Sequence, residues 1–304
     1  MTKFNLNLAR AAAAAAVFLG FASSVEADVF YVTNQGGNYV EKYNSAGVGS
    51  VFVTTPSGFN TVGQTFDSAG NYYVTGDGDT SIRKYSSTGT FLSVFASTNL
   101  SSPEGLATDS SDNIYAANWN TGNVIKFAPN GTGAPFGTAD TNRHSLAFDS
   151  NGNLYVSESS TNNIAKIAPN GTTTSFASSN LSRPAGITFD TAGNLYVVNV
   201  FANNVVKFLP SGAFAGVFVN GTGLNDPCGL DFDSAGNLYV VNHGNNSIAK
   251  YNSLGVYQGT FATTGLASPT LITILPDPVP EPASLGLFAC GGAALLIRRR
   301  RASR

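Results

Sequence analysis

Short apolar runs alternate along the chain with turns rich in Asn, Gly, Asp and Ser. One stretch shows the pattern. Residues 186–189 form an apolar run, residues 190–194 a turn, and residues 195–198 and 205–208 two further runs, with another around Phe218. Runs of this length, bounded by turn residues and without a 3.6-residue period, predict four short β-strands per unit.

The same unit recurs six times, about every 40 residues. The turn aspartates are Asp67, Asp109, Asp149, Asp190 and Asp233. The tyrosines six residues further on are Tyr73, Tyr115, Tyr155, Tyr196 and Tyr239, and Tyr31 fits the same frame. The lysines eleven residues after each tyrosine are Lys42, Lys84, Lys126, Lys166, Lys207 and Lys250. A four-stranded unit repeated at this interval predicts an all-β fold, a six-bladed β-propeller.

The two ends of the array predict how the ring closes. The first unit begins at its second strand, residues 29–32, and the last unit supplies only a first strand, residues 269–274. The C-terminal strand is therefore expected to join the N-terminal blade, which hides two sheet edges. The propeller is predicted to span residues 28–276. Aspartates and lysines that occur once per blade are expected to be scaffold, although the aspartates resemble calcium ligands.

The N-terminus, residues 1–27, has the three parts of a secretory signal peptide. Lys3 and Arg10 give a positive segment, residues 11–21 an apolar core, and residues 25–27 a small-residue site with cleavage expected after Ala27. The apolar core is too short to span a bilayer.

The C-terminus, residues 277–304, carries Pro280-Glu281-Pro282, an apolar segment over residues 283–297 and the cluster Arg298-Arg299-Arg300-Arg301. This order resembles the PEP-CTERM sorting signal. The resemblance implies processing by an exosortase and its export machinery, transient anchoring in the inner membrane, and release to the cell envelope or extracellular matrix. An ordinary tail anchor is the alternative.

Composition narrows the class of protein. Charged residues make up 11% of the chain, well below the ~25% of ordinary soluble domains. Residues 28–275 carry 9 Lys/Arg and 15 Asp/Glu, a net charge of −6. The absence of a clustered basic face excludes a nucleic-acid binder. Cys228 and Cys290 lie in parts of the chain that separate on export, so no internal disulfide is expected.

Several motifs carry a second resemblance. Residues 184–187 lead to Asp190, and they are followed by Gly193-Asn194-Leu195-Tyr196-Val197 and Asn204-Val205-Val206-Lys207-Phe208. This pattern resembles the NHL-repeat propellers and their relatives, the gluconolactonase/regucalcin family and the virginiamycin B lyase-like proteins. The resemblance covers nearly the whole body and implies a scaffold rather than one reaction.

Candidate site residues lie where blades differ. If each hairpin is symmetric about its Asp turn, Glu104 faces Asn118 and His144 faces Glu158. The same rule gives the pairs Cys228 and Asn242, Ala185 and Asn199, Val62 and Gly76, and Thr270 and Asn34. These positions are expected to form the rim of the central channel. A slip of one residue in register would dissolve the pattern.

The rim admits three interpretations. Propellers of the gluconolactonase type place a metal at such a rim, and Glu104, Asn118, Glu158 and Asn199 are of the ligand types that the resemblance implies. His144 beside Glu158 could instead act as a general base. The third interpretation is a polar channel mouth whose side chains satisfy one another. On this third interpretation we expect no bound metal or other cofactor.

Two functions follow. The first is an exported binding module at the envelope or in the matrix, for a polysaccharide or a matrix protein. Its top loops are rich in Asn, Thr and Gly, and Trp119 is either a stacking platform or a buried wedge. The second is a lactonase or lyase that uses a divalent metal such as calcium at the rim.

Overall fold

A computed structural model describes residues 27–139 and 145–276, and all regular structure in these ranges is β-strand. The strands form six four-stranded antiparallel sheets, the blades of a ring. Blade 1 contains β1 (Asp28–Asn34), β2 (Tyr39–Tyr43), β3 (Gly49–Thr54) and β24 (Pro269–Pro276). Blade 2 contains β4 (Thr61–Phe66), β5 (Tyr72–Gly76), β6 (Ile82–Tyr85) and β7 (Phe91–Ala96). Blade 3 contains β8 (Pro103–Thr108), β9 (Ile114–Asn118), β10 (Asn123–Phe127) and β11 (Gly133–Thr138).

The other three blades repeat this order. Blade 4 contains β12 (Leu146–Phe148), β13 (Leu154–Glu158), β14 (Asn163–Ile167) and β15 (Thr173–Ala177). Blade 5 contains β16 (Pro184–Phe189), β17 (Leu195–Asn199), β18 (Asn204–Phe208) and β19 (Phe214–Asn220). Blade 6 contains β20 (Pro227–Phe232), β21 (Leu238–Asn242), β22 (Ser247–Tyr251) and β23 (Tyr257–Ala262).

The last strand closes the ring, which confirms the sequence-based prediction. β24 pairs antiparallel with β1, from Asp28 opposite Pro276 to Asn34 opposite Pro269. Ile272 and Ile274 of this strand are buried. The closing strand therefore occupies the innermost position of blade 1, which β4, β8, β12, β16 and β20 occupy in the other blades.

The repeated aromatic residues form the joints between blades. The ring of Tyr155 lies between Phe176 of its own blade and Phe189 of the next, with both centroids 4.9 Å away and edge-to-face. Tyr196 lies in the same way between Phe218 and Phe232. Each such pair contributes about 0.5–1.5 kcal/mol beyond the area it buries. The period seen in the sequence is thus the period of the inter-blade core.

The repeated polar residues hold the turns. Asp109 accepts hydrogen bonds from the backbone and side chain of Asn113 and from the Tyr115 hydroxyl, and Lys126 lies 3.4 Å from it. Burial favours a higher pKa for Asp109, but these hydrogen bonds outweigh it and lower the pKa. The Lys126 ammonium also lies over the Tyr115 ring. The same arrangement recurs around Asp67, Asp149 and Asp190, which makes these residues scaffold.

The ring has two distinct faces. The Asp turns define the bottom face, and the loops that follow β1, β5, β9, β13, β17 and β21 define the top face. Asp28 and Pro276 lie side by side at the bottom, so both ends of the propeller leave from that face. In the described ranges, no helix is long and apolar enough to cross a membrane. The predicted signal and sorting segments lie outside those ranges.

Candidate functional site

A narrow opening on the top face leads into the central channel. Its volume is about 50 Å³, room for only a few water molecules. It is lined by Gln35, Val62, Glu104, Ser145, Ala185, Gly186, Cys228, Thr270 and Leu271. Glu104 is 3% exposed and is the one carboxylate among these lining residues. Of the predicted rim, the residues on the innermost strands do reach the channel mouth, whereas His144 lies outside the described residues.

The predicted pairing across the hairpins is wrong by one residue. Asn118 lies opposite Pro103, not Glu104, while Leu106 lies opposite Ala116. Two residues, Glu104 and Gly105, therefore face the single residue Ala117, which is a β-bulge. The same shift places Pro184 opposite Asn199, Pro227 opposite Asn242, Thr61 opposite Gly76 and Pro269 opposite Asn34.

Most of the bulges contain a glycine because the innermost strands of neighbouring blades approach each other closely there. A Cβ on Gly63 would lie 1.6 Å from the carbonyl oxygen of Glu104 in the next blade. A Cβ on Gly186 would lie 2.4 Å from the Cys228 oxygen, and one on Gly229 2.6 Å from the Thr270 oxygen. Only glycine allows the innermost strands to approach this closely around the axis. Blades 1 and 4 depart from this rule, since Leu271 and Ser145 stand in the glycine position.

The predicted rim asparagines bond to loops instead of lining the channel mouth. Asn118 is 1% exposed. Its Oδ1 accepts from the Ser101 amide at 2.9 Å, and its Nδ2 donates to the Asn99 carbonyl at 2.9 Å and to Asn123 Oδ1 at 2.8 Å. Asn199 makes the equivalent bonds to Ser182, Asn180 and Asn204. Asn242 makes them to Asn225, Gly223 and Ser247. Each amide ties the incoming crossover loop to its own blade.

Glu158 occupies the asparagine position in blade 4. It is buried, and its Oε2 accepts from Asn163 Nδ2 at 2.6 Å and from Thr161 Oγ1 at 3.4 Å. Glu158 thus contacts the outgoing loop of its own blade, as the asparagines do. Its predicted partner His144 belongs to the segment that the structure does not describe.

The metal ligands that the gluconolactonase resemblance implied do not fit a shared ion. The Oδ1 atoms of Asn118 and Asn199 already accept backbone amides in different blades. Glu104 lies in the channel mouth, and Glu158 bonds to Asn163. Across residues 27–139 and 145–276, no three His, Cys, Asp or Glu side chains come together in a metal-binding group.

A second cleft on the top face, of about 140 Å³, contains residues that the sequence reasoning missed. It lies above the innermost strands of blades 5 and 6 and is lined by Ser159, Arg183, Ala185, Val200, Asp226, Cys228 and His243. Val200 and His243 come one residue after the end of β17 and of β21. The equivalent residues in the other blades are Gln35, Asp77, Trp119 and Ser159. These residues differ in every blade, and this variation is the sequence signal that could have identified them.

Trp119 belongs to this variable set. Its side chain is half-buried in the turn after β9, and its amide donates to the Ser102 carbonyl at 3.0 Å. Gln35 and Asp77, two other members, bond to each other at 3.0 Å. The top face therefore combines one tryptophan, one amide–carboxylate pair and the cleft of blades 5 and 6.

Among the described residues that line the opposite end of the channel, one is a carboxylate. Asp231 lines a cavity of about 230 Å³ beside Thr65, Ala107, Ala147, Thr188 and Thr273, the equivalent residues of the other blades. Burial raises the pKa of Asp231 to about 6, against the hydrogen bonds from Ile274, Phe232 and Thr188. The bond from the Ile274 amide, 2.9 Å long, joins blade 6 to the closing strand.

Together these features define a closed six-bladed propeller with a variable top face. The chain belongs to the virginiamycin B lyase family, whose profile matches residues 7–279. The PEP-CTERM protein-sorting motif matches residues 278–301, which indicates export and sorting through an exosortase. No curated protein matches the sequence.

Three solved structures share the fold at low identity. A chain of the nidogen/laminin complex is 20% identical with a TM-score of 0.73, over 82% of this chain and 99% of that one. Virginiamycin B lyase from Staphylococcus aureus is 17% identical with a TM-score of 0.65, over 82% and 88%. A putative gluconolactonase is 14% identical with a TM-score of 0.58, over 68% and 79%.

Proposed function

We propose that this protein is an exported binding module that presents its top face to a polysaccharide or matrix protein of the cell envelope. The observation that carries the proposal is the position of the chain ends. Asp28 and Pro276 leave from the bottom face, so a chain tethered through its C-terminal tail directs the top loops away from the tether. The module needs no metal or other cofactor for this role.

The chemistry of the top loops supports the choice of ligand. Neutral amides, hydroxyls and aromatic rings dominate there, as in Trp119 and Asn120 after β9 and Phe201 after β17. Such groups hydrogen-bond hydroxyls and stack on flat rings. The chain body has a net charge of −6 without a basic cluster, which disfavours strongly acidic ligands.

Affinity electrophoresis tests this proposal. The exported protein is run through native gels that contain dextran, xylan, β-glucan or alginate, with a gel lacking polysaccharide as reference. We expect at least one polysaccharide to slow the protein relative to the reference gel. Unchanged migration in every gel, together with no enrichment of a matrix protein by pull-down, contradicts the binding function.

The second candidate is a lactonase or lyase, and membership of the virginiamycin B lyase family favours it. The Staphylococcus aureus enzyme has been solved with quinupristin as a catalytically inactive variant in which alanine replaces one histidine. In this chain His243 lines the top cleft, and its buried Nδ1 has no hydrogen-bond partner among the described residues. Loss of quinupristin or gluconolactone in the presence of calcium or magnesium, abolished by His243→Ala, would establish this activity.

A further inference from the structure

The cleft of blades 5 and 6 carries two opposite charges at equivalent positions. Arg183 and Asp226 each precede the innermost strand of their blade, and both adopt the left-handed backbone conformation, with φ of 52° and 48°. The Arg183 carbonyl accepts from the Val200 amide at 3.2 Å, and the Asp226 carbonyl accepts from the His243 amide at 3.1 Å. Each charged residue is thus tied to the loop that forms the opposite wall of the cleft in its own blade.

The arginine is further ordered by an exposed aromatic ring. The Arg183 guanidinium lies 5.0 Å from the centroid of Phe201, and its amide donates to Asn162 Oδ1. Phe201 is 74% exposed, the residue directly after Val200 in the cleft wall. One side of the ring contacts Arg183, and the large exposed fraction leaves apolar ring surface available beside the cleft.

The charges of the cleft are available to a ligand. Within the described part of the chain, neither Arg183 nor Asp226 forms an ion pair with another side chain. His243 contributes a buried Nδ1 without a hydrogen-bond partner among the described residues. The cleft therefore offers a donor and an acceptor beside the imidazole ring of His243, around a volume of about 140 Å³.

These groups together select one ligand class. A simple anion is repelled by Asp226, and a cation is repelled by Arg183 and finds one carboxylate only. A wholly apolar ligand would leave the Arg183, Asp226 and His243 groups desolvated without partners. A neutral pyranose satisfies both charged groups, because its hydroxyls both donate and accept while its C–H face packs on an aromatic ring. The volume is far below the ~300–1,000 Å³ of pockets that enclose drug-sized ligands, which fits one ring of a longer chain.

We propose that the Arg183, Asp226 and His243 cleft, with Phe201 as its stacking surface, binds one neutral sugar unit of a polysaccharide. This site rests on the binding function proposed above and specifies where on the top face it resides. Hydroxyls of the sugar donate to the Asp226 carboxylate and accept from the Arg183 guanidinium. The cleft lies on the face opposite Asp28 and Pro276, so a tethered chain keeps it accessible.

Isothermal titration with defined oligosaccharides tests the site. The probes are cellohexaose, laminarihexaose and maltohexaose as neutral chains and hexagalacturonate as an acidic chain, with the exported protein. We expect one neutral hexaose to bind, and Phe201→Ala, Arg183→Gln and Asp226→Asn each to weaken it about tenfold or more. Phe91→Ala is the matched control: Phe91 is 49% exposed and also contacts an arginine, Arg83, but it lies on outer strand β7.

The possible results separate the site from the function. Neutral binding that persists unchanged in all three cleft variants overturns this site and leaves the binding function standing. Preferential binding of hexagalacturonate overturns the neutral-sugar class. Binding of no hexaose overturns this site. If migration is also unchanged in all the polysaccharide gels and no matrix protein is enriched by pull-down, both proposals are overturned. Thermal unfolding of each variant checks that it is folded. Because Phe201 is largely exposed, Phe201→Ala is expected to fold like the parental protein.

Discussion

Replacing Asn118 by Ala separates a scaffold role from a ligand-binding role. The change removes three hydrogen bonds, of 2.9, 2.9 and 2.8 Å, from a side chain that is 1% exposed. Each bond contributes about 0.5–1.5 kcal/mol net, and a partner left buried without a bond costs about 1–3 kcal/mol. We therefore expect the free energy of unfolding to fall by roughly 2–4 kcal/mol. That is a large share of the ~5–15 kcal/mol typical of a domain.

The blades supply replicates and a control. Asn199→Ala and Asn242→Ala remove equivalent bonds and should lose similar stability, whereas the exposed side chain of Asn120 makes one bond, to Ser102 Oγ at 2.9 Å. Asn120→Ala should change stability by less than about 0.5 kcal/mol. Urea unfolding followed by tryptophan fluorescence measures all four variants. If the three asparagine variants keep the parental stability and lose polysaccharide binding instead, the scaffold role is refuted.

Three further predictions concern other parts of the chain. Asp231 has a folded-state pKa of about 6 against an ordinary 3.8, so its protonation stabilises the fold below about pH 4. This contribution, up to about 3 kcal/mol, is lost as the pH rises to 6. Urea unfolding at different pH values should show the loss in the parental protein and not in Asp231→Asn; parallel pH profiles of the two proteins would contradict the prediction. Ile272→Ala should lower the free energy of unfolding by about 2–4 kcal/mol and cause aggregation on size-exclusion chromatography, because Ile272 seals the closing strand; a stable monomer would argue against this closure. Intact mass should show envelope protein that begins at Asp28 and lacks residues 298–304, with Glu281→Ala unprocessed, whereas a retained tail indicates simple anchoring.

The scaffold was predictable because its contacts repeat with the sequence. Tyr155 packs between the phenylalanines of two neighbouring blades, so the repeat of this tyrosine along the sequence directly indicates the repeat of blades around the ring. Asp149 holds its own turn through Asn153 and Tyr155, all within seven residues. Local contacts of this kind leave a pattern that a single sequence displays. Blade number and ring closure follow from counting such patterns.

The rim was less predictable because its geometry depends on contacts between blades. Counting outward from the Asp turn assumes an uninterrupted ladder, and the bulge at Glu104 and Gly105 breaks that ladder. The bulge glycines are needed because carbonyls of the next blade approach them, a constraint that lies about 40 residues away in sequence. With this one-residue shift, the asparagines bond to the loops and do not line the channel mouth.

The positions that differ between blades are the ones available for recognition. A propeller needs its inter-blade residues in every repeat, so Tyr, Phe and the turn Asp recur and cannot carry a unique ligand contact. The residue after the second strand of each blade is not subject to this requirement. In blades 1 to 6 it is Gln35, Asp77, Trp119, Ser159, Val200 and His243. The position of Arg183 and Asp226 also carries different residue types in different blades, although their shared left-handed backbone shows that the loop itself keeps one shape in both blades. The scaffold thereby holds chemically different groups at equivalent places around one axis, and neighbouring blades 5 and 6 bring a cation, an anion and an imidazole into one cleft.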